Sequence, residues 1–215
     1  MNLEKYWHDR GKIYLEQFRD KPAHEKAFFK YQEESLLNLV KSYSFSSILE
    51  VGCGFGRFTK ILSENFKPER YVALDLSPNQ IEKAKKYVQD ERINFICKPI
   101  QDFESEEKFD LVFASEVLMH ISFSDIGDII KKLASLSANK IITIDWFDNQ
   151  NMGKDSGGYC FMHDYEQLFH SDTIKTVKIH RIKKPISTKI NDSYRVFRGR
   201  KPRLIESIIE ATKIK

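Results

Sequence analysis

Apolar and polar positions change their period several times along the chain, and each change marks an element. In the first forty residues the apolar spacing is helical. Leu36, Leu37, Leu39 and Val40 form part of a stripe, and Pro22 stands where a helix can begin. A serine-rich turn, Ser42 to Ser47, leads into the short run Ile48-Leu49-Glu50-Val51, which ends in glycines. Phe58 to Phe66 reads as a helix with Ile61 and Leu62 inward, and Tyr71 to Leu76 as a strand. Ser77 suits an N-cap, with Pro78 at the first position of a helix running to about Gln89. Ile93 to Cys97 and Phe109 to Ala114 read as strands, Asp125 to Leu136 as an amphipathic helix, and Lys140 to Asp145 as a strand.

Strands that alternate with helices at this spacing pair in parallel through crossover connections. The end of the chain differs. Asp164 to Phe169 reads as a short helix. Thr173 to Arg181 and Ser187 to Arg198 are alternating, β-rich runs joined across Pro185, and they predict a closing antiparallel hairpin. Pro202 to Lys213 reads as a basic helix. Asn149 to Gly158, with Gly153, Gly157 and Gly158, reads as a long loop.

Composition narrows the class without naming it. A chain of 215 residues suits one domain with a full-sized core, or one domain plus a small appendage. With 41% hydrophobic and 31% charged residues it is neither disordered nor membrane-embedded, and no apolar run approaches the ~20 residues of a membrane span. Met1 to Arg10 carries charges and aromatics, so no signal peptide is expected. The net charge of +4 is modest. Its one basic cluster, Arg195 to Arg203, reads as a solvated strand end and loop, so nucleic acid is not favoured as a partner. Cys53, Cys97 and Cys160 form no zinc spacing and no disulfide framework, which fits a reducing cytoplasm.

The chemistry starts at Glu50-Val51-Gly52-Cys53-Gly54-Phe55-Gly56, between a predicted strand and a predicted helix. Glycines there allow unusual backbone angles and close approach of a ligand to the main chain. The next strand ends at Asp75, where an acid accepts hydrogen bonds from ribose hydroxyls. A dinucleotide site would look similar, but Glu50 stands two residues before the first glycine. Its charge repels a pyrophosphate and suits a cationic ligand. Arg57 and Phe58 also replace the small residues that let a helix pack beneath a pyrophosphate.

At these residues the chain resembles the class I S-adenosylmethionine (SAM) dependent methyltransferases of the small-molecule, methyltransferase type 11/12-like kind. Ile48 to Thr59 (ILEVGCGFGRFT) is similar to the family's motif I, Tyr71 to Ser77 (YVALDLS) to motif II, and Phe109 to Ser122 (FDLVFASEVLMHIS) to motif IV and the helix after it. The resemblance covers about 100 residues in matching order. It implies an α/β fold: a Rossmann-like, seven-stranded, mostly parallel sheet with an antiparallel last strand and helices on both faces. Tyr194 to Lys201 would be the seventh strand. Residues 1–42 would form an N-terminal helical cap. Residues 43–215 would form the SAM-binding domain, with the closing hairpin and the C-terminal helix.

Carried over residue by residue, the resemblance implies that Gly52, Cys53 and Gly54 present backbone to the methionine portion of SAM. Glu50 would help hold its amino group, Asp75 its ribose hydroxyls and Leu76 its adenine, while Ser115 and Glu116 would close the site. Many members carry an acid just after the third strand for the adenine amino group. The aligned residue here is Pro99, so Asp102 or the amide of Gln101 would take over, beside the Ile100 backbone.

SAM supplies a reactive methyl, and the protein must align the acceptor and, where needed, remove its proton. His120, just beyond the fourth strand, is one candidate base, or else a structural histidine hydrogen-bonded within the fold. A second set is His163 as base, Asp164 orienting it and Tyr165 on the acceptor; Asp164 could equally cap a helix. Asp145, Asp148 and His163 could in principle gather an ion, but scattered acids at strand ends are common and no metal is expected. Tyr6-Trp7-His8-Asp9-Arg10 with Tyr14 would either cover the pocket or pack as an ordinary helix.

The expected function is methyl transfer to oxygen or nitrogen of a small molecule, a sugar or biosynthetic metabolite, by a cytoplasmic monomer or homodimer. The N/D-P-P-Y/F motif of amino-methylating nucleic-acid enzymes is missing, and Ala114-Ser115-Glu116-Val117 stands in its place. Competing readings are methylation of RNA or protein through residues 195–203, a non-catalytic SAM-binding protein, and a NAD-dependent oxidoreductase.

Overall fold

The computed structural model of the chain describes residues 3–147, 152–154, 160–182 and 206–214. Two helices open it, α1 (Leu3–Arg19) and α2 (Ala23–Val40). Then β1 (Ser47–Val51), α3 (Arg57–Phe66), β2 (Arg70–Asp75), α4 (Pro78–Val88), β3 (Ile93–Cys97), β4 (Phe109–Ser115), α5 (Ile126–Leu136) and β5 (Ser137–Trp146) alternate. A single-turn helix α6 (Tyr165–Leu168) and two strands, β6 (Ile174–Arg181) and β7 (Glu206–Lys213), close the described chain. None of its described helices is long and apolar enough to cross a membrane.

The seven strands form one sheet in the order β3-β2-β1-β4-β5-β7-β6. The pairs from β3 through β5 are parallel, and β7 runs antiparallel to both β5 and β6. Every residue of β1 is buried, as expected for a central strand with helices on both faces. Alternate side chains feed two cores. Leu49, Val112 and Ile209 pack with Ile129, Ile130 and Leu133 of α5 on one face. Ile48, Phe113 and Ile208 pack with helices α2, α3 and α4 on the other.

The end of the chain corrects the expectation drawn from sequence. The stretch read as a basic helix, Pro202 to Lys213, contains strand β7 from Glu206, and this is the strand that reverses direction. Its run Ile208-Ile209-Glu210-Ala211 is too short for period alone to separate strand from helix. The free edge of β5 and burial on both faces decide it: Ile209 meets Thr143, and Ile208 and Ile209 are buried. Glu210 is buried in the same strand and accepts hydrogen bonds from Tyr43 Oη at 2.8 Å and from the Lys140 ammonium. Burial raises its pKa, but these partners and His180 outweigh burial and hold it below the usual range. Ser187 to Arg198, expected as a strand, and Tyr194 to Lys201, expected as the seventh, lie outside the described residues.

Strand order reverses between β1 and β4, so their carboxyl ends diverge and leave a crevice where open α/β sheets bind ligands.

Candidate active site

A cavity of about 1160 Å³ opens at that crevice, above the ~300–1,000 Å³ usual for a small-molecule site. One rim is the glycine loop. Gly52, Gly54 and Gly56 all hold positive φ, and Cys53 N–H donates to Leu74 O across to β2. A Cβ on Gly52 would stand 2.4 Å from Val117 Cγ2 as well as being strained at φ +71°, so two constraints fix glycine there. Asp75 at the end of β2 braces the loop. Its two carboxylate oxygens accept from Gly54 N–H at 2.9 Å and Ser77 N–H at 2.8 Å. Burial raises the Asp75 pKa despite those two donors.

Glu50 lies beneath the loop. Its Oε2 accepts from Thr59 Oγ1 at 2.6 Å and Tyr71 Oη at 2.8 Å. Burial dominates these bonds and pushes its pKa up to about 7. Glu116, at the end of β4, adopts φ 55°, a left-handed conformation unusual for a side chain at a strand end. Its Oε1 accepts from Gln32 Nε2 at 3.1 Å, and Gln32 Oε1 in turn accepts from Arg57 at 3.0 Å. Helix α2 is thereby tied to the start of α3 and to the end of β4.

The opposite rim is the 3₁₀ turn Leu118–His120, which carries His120 into the cavity. It is gripped from both sides. The buried Asp145 accepts from Met119 N–H at 3.1 Å and from the Thr143 hydroxyl. Desolvation lifts the Asp145 pKa to about 7. From the other side, Phe161 N–H donates to Met119 O at 2.7 Å and His163 Nε2–H donates to Ile121 O at 3.0 Å. The His120 ring meets Cys160 Sγ at 3.6 Å and stacks edge-on against Trp7, with centroids 4.5 Å apart.

Helix α1 roofs the space between the rims. Trp7, Arg10, Tyr14, Gln17 and Phe18 recur at helical spacing and face the cavity, and Lys21 lines it just beyond the end of the helix. His8 Nε2–H donates to Leu76 O at 2.8 Å, and Tyr14 and Phe18 pack on Phe55 of the glycine loop. Gly11 lets the helix come close, since a Cβ there would lie 2.3 Å from Ser77 Oγ.

The cavity brings together Glu50, Gly52, Cys53, Gly54, Asp75 and Leu76 with Ile100, Gln101, Asp102, Ser115, Glu116 and His120. His163, Asp164 and Tyr165, the second expected catalytic set, stand elsewhere. His163 is 2% exposed and packs between Phe123, Phe161 and Tyr165, where burial lowers its pKa. Asp164 caps α6 by accepting from Gln167 N–H at 3.0 Å, and the Tyr165 ring is fully buried in the core. The reason is packing: Cys160, Met162, Tyr165 and Phe169 are buried and draw the 160–169 segment inward, so its polar residues support the turn instead of facing the crevice. Asp145 spans from β5 to the turn, Asp148 lies outside the described residues, and no cluster suited to a metal occurs among the described residues. Sequence reasoning missed Gln80, Arg57 and Lys98 on the cavity wall. It also left the role of α1 open, although the stripe from Trp7 to Phe18 is readable as a helical face.

Comparison with known proteins agrees with this geometry. A family profile described as a methyltransferase domain matches residues 48–139. A malonyl-[acyl-carrier protein] O-methyltransferase of Acetivibrio thermocellus is 31% identical over 114 residues, covering 53% of this chain and 40% of that protein. The chain thus spans less than half the length of the curated relatives it matches. Among solved structures, magnesium protoporphyrin IX methyltransferase from Synechocystis PCC 6803 with bound SAM superposes with a TM-score of 0.72 at 13% identity, covering 100% of this chain and 98% of that one. The N-methyltransferase NodS from Bradyrhizobium japonicum, in complex with S-adenosylhomocysteine (SAH), gives 0.67 at 17% identity over 93% and 91% of the two chains. At that identity the superpositions speak for the fold, and the sequence match speaks for the domain. Residues 48–139 therefore match a methyltransferase domain, set in a fold shared with S-adenosylmethionine-dependent methyltransferases.

Proposed function

We propose that the protein transfers the methyl group of SAM to an oxygen or nitrogen of a small-molecule acceptor, a sugar or a biosynthetic metabolite. The observation that carries this is one continuous cavity joining the glycine-loop rim to the His120 rim under α1. Its volume leaves room for an acceptor beside the cofactor.

The residues present fit SAM. The hydroxyl of Ser115 and the amide oxygen of Gln80 are buried on the cavity wall without a protein partner, and such groups need a ligand or water to satisfy them. A Cβ on Gly54 would meet only Gln80, at 3.9 Å, so the wall stays open above the loop. In this reading Gly52 to Gly54 line the methionine portion, with Glu50 and Glu116 near its ammonium group. Asp75 takes the ribose hydroxyls, and Leu76 with residues 100–102 borders the adenine. When bound, SAM supplies a methyl on an electrophilic sulfonium. His120 sits where an acceptor enters between Trp7 and the turn, and its imidazole can take the acceptor's proton as the new bond forms. Trp7, Trp146 and Met119 exclude water from that end.

The relatives' names point to acceptors of several kinds, a malonyl-[acyl-carrier protein] and 1,6-didemethyltoxoflavin among them. The stretch Arg195 to Arg203, on which an RNA or protein acceptor would depend, lies outside the described residues. Calorimetry with SAM and SAH tests the cofactor, and radiolabelled methyl transfer to a panel of carboxylates, sugars and amines tests the acceptor. Absence of SAH binding by folded protein would sink the reading.

A further inference from the structure

At its glycine-loop end the cavity is acidic: Glu50, Asp75 and Glu116 all line it. That suits the ammonium and ribose hydroxyls of SAM, but SAM also carries a carboxylate on its methionine portion. A carboxylate drawn out of water beside three acids requires a cation. Arg10, Lys21, Arg57 and Lys98 are the cations on the cavity wall among the described residues. Arg57 is engaged elsewhere: its guanidinium donates to Glu33 at 3.2 Å and Gln32 at 3.0 Å and lies 4.1 Å over the Phe58 ring. Lys21 donates to Glu25 at 2.9 Å. Lys98 is exposed and follows β3, on the side of the wall assigned above to the adenine.

Arg10 is left. It is half-buried on the cavity face of α1, and among the described residues it meets no carboxylate. Its neighbour is the Tyr14 ring, 5.8 Å away. On the same stripe, Trp7 one turn earlier touches His120, and Tyr14 one turn later packs on Phe55. Arg10 is therefore suspended between the acceptor rim and the glycine loop. Resting on the cofactor reading above, we propose that Arg10 binds the methionine carboxylate of SAM. The roof helix thereby supplies the one charge that the sheet does not. A planar guanidinium matches a carboxylate with two parallel hydrogen bonds, which lysine cannot reproduce.

The test is calorimetry on the full chain with two ligands, SAH and 5′-methylthioadenosine, which keeps the adenosine and thioether but lacks the amino-acid portion. In Arg10→Met, SAH affinity falls by about 10- to 100-fold while methylthioadenosine affinity holds, as expected for loss of a charge-assisted pair. Arg10→Lys recovers part of the loss, and unchanged melting of both variants shows that α1 still folds. If Arg10→Met weakens both ligands equally, or neither, the assignment is overturned. An unchanged SAH affinity with a raised KM for an acceptor overturns it too, and moves the cation to the acceptor's side. If wild type binds neither ligand, the cofactor reading itself fails, a result distinct from the other two.

Discussion

The glycine-loop rim and the His120 rim face each other across one cavity, yet they are built differently. The first is local. Gly54 reaches Asp75 and Cys53 reaches Leu74, contacts that span one strand-helix-strand unit, and the strain is carried by glycines. The second is assembled from far along the chain. The turn at Leu118–His120 is held by Asp145 from β5, by Phe161 and His163 beyond it, and by Trp7 from the N-terminal helix. A cofactor common to many enzymes can be met by a compact motif, whereas a rim that must suit one acceptor is assembled from segments that vary.

The largest effect should come from breaking the local rim. Asp75→Ala removes the acceptor for two backbone N–H groups and the expected ribose contact, so SAH affinity should drop by about 100-fold or more in calorimetry. A loss under threefold would mean that the brace is dispensable.

Next comes a contrast within the second rim. His120→Gln should lower kcat by about 100-fold with little change in melting temperature. His163→Phe should do the reverse, with kcat within a few-fold and stability lowered by roughly 1–2 kcal/mol, because it loses the bond to Ile121 O. Equal effects on kcat would erase the distinction between a group at the reacting atoms and one that supports the turn.

A smaller change should follow from the roof. Gly11→Ala forces α1 away from Ser77, and SAH affinity should fall by about 10-fold while the sheet melts as before. Faster proteolysis within residues 3–19 would report the same displacement.

The last response is to pH, and it reaches the cavity least directly. Glu50 and Asp145 are both lifted to about 7 by burial. Their folded pKa values lie above the unfolded ones, so the stability they contribute is complete below about pH 4 and is lost as pH rises through about 7. Stability without cofactor should therefore fall from about pH 5 to about pH 8, by on the order of 1–3 kcal/mol per group, read as a lower melting temperature. Glu50→Gln, which can still accept from Thr59 and Tyr71, and Asp145→Asn should each flatten the slope.

Legibility from sequence followed the same divide. The strands β1 to β4 and helices α3 and α4 fell within a residue or two of their expected bounds, because each has its own period, cap and turn residues. Each residue expected around the cofactor lines the cavity, since motif I, Asp75 and the end of β4 are fixed by neighbouring glycines and by parallel pairing. The second rim was harder to read. His163-Asp164-Tyr165 has the composition of a catalytic group, and only the burial of Met162, Tyr165 and Phe169 around it turned it into support. Likewise Glu206–Lys213 contains Glu, Ala and Lys that suit a helix, and the unpaired edge of β5 made it a strand.

The sequence by itself determined the alternating α/β core, the conformation of the glycine loop and the acids around it, because these depend on contacts close along the chain and on backbone angles that few residues adopt. Only the tertiary structure decided that α1 roofs the cavity, that His120 faces it while His163 does not, and that β7 fills the sheet. Those outcomes depend on which buried surfaces and open strand edges meet after collapse, and no local pattern records them.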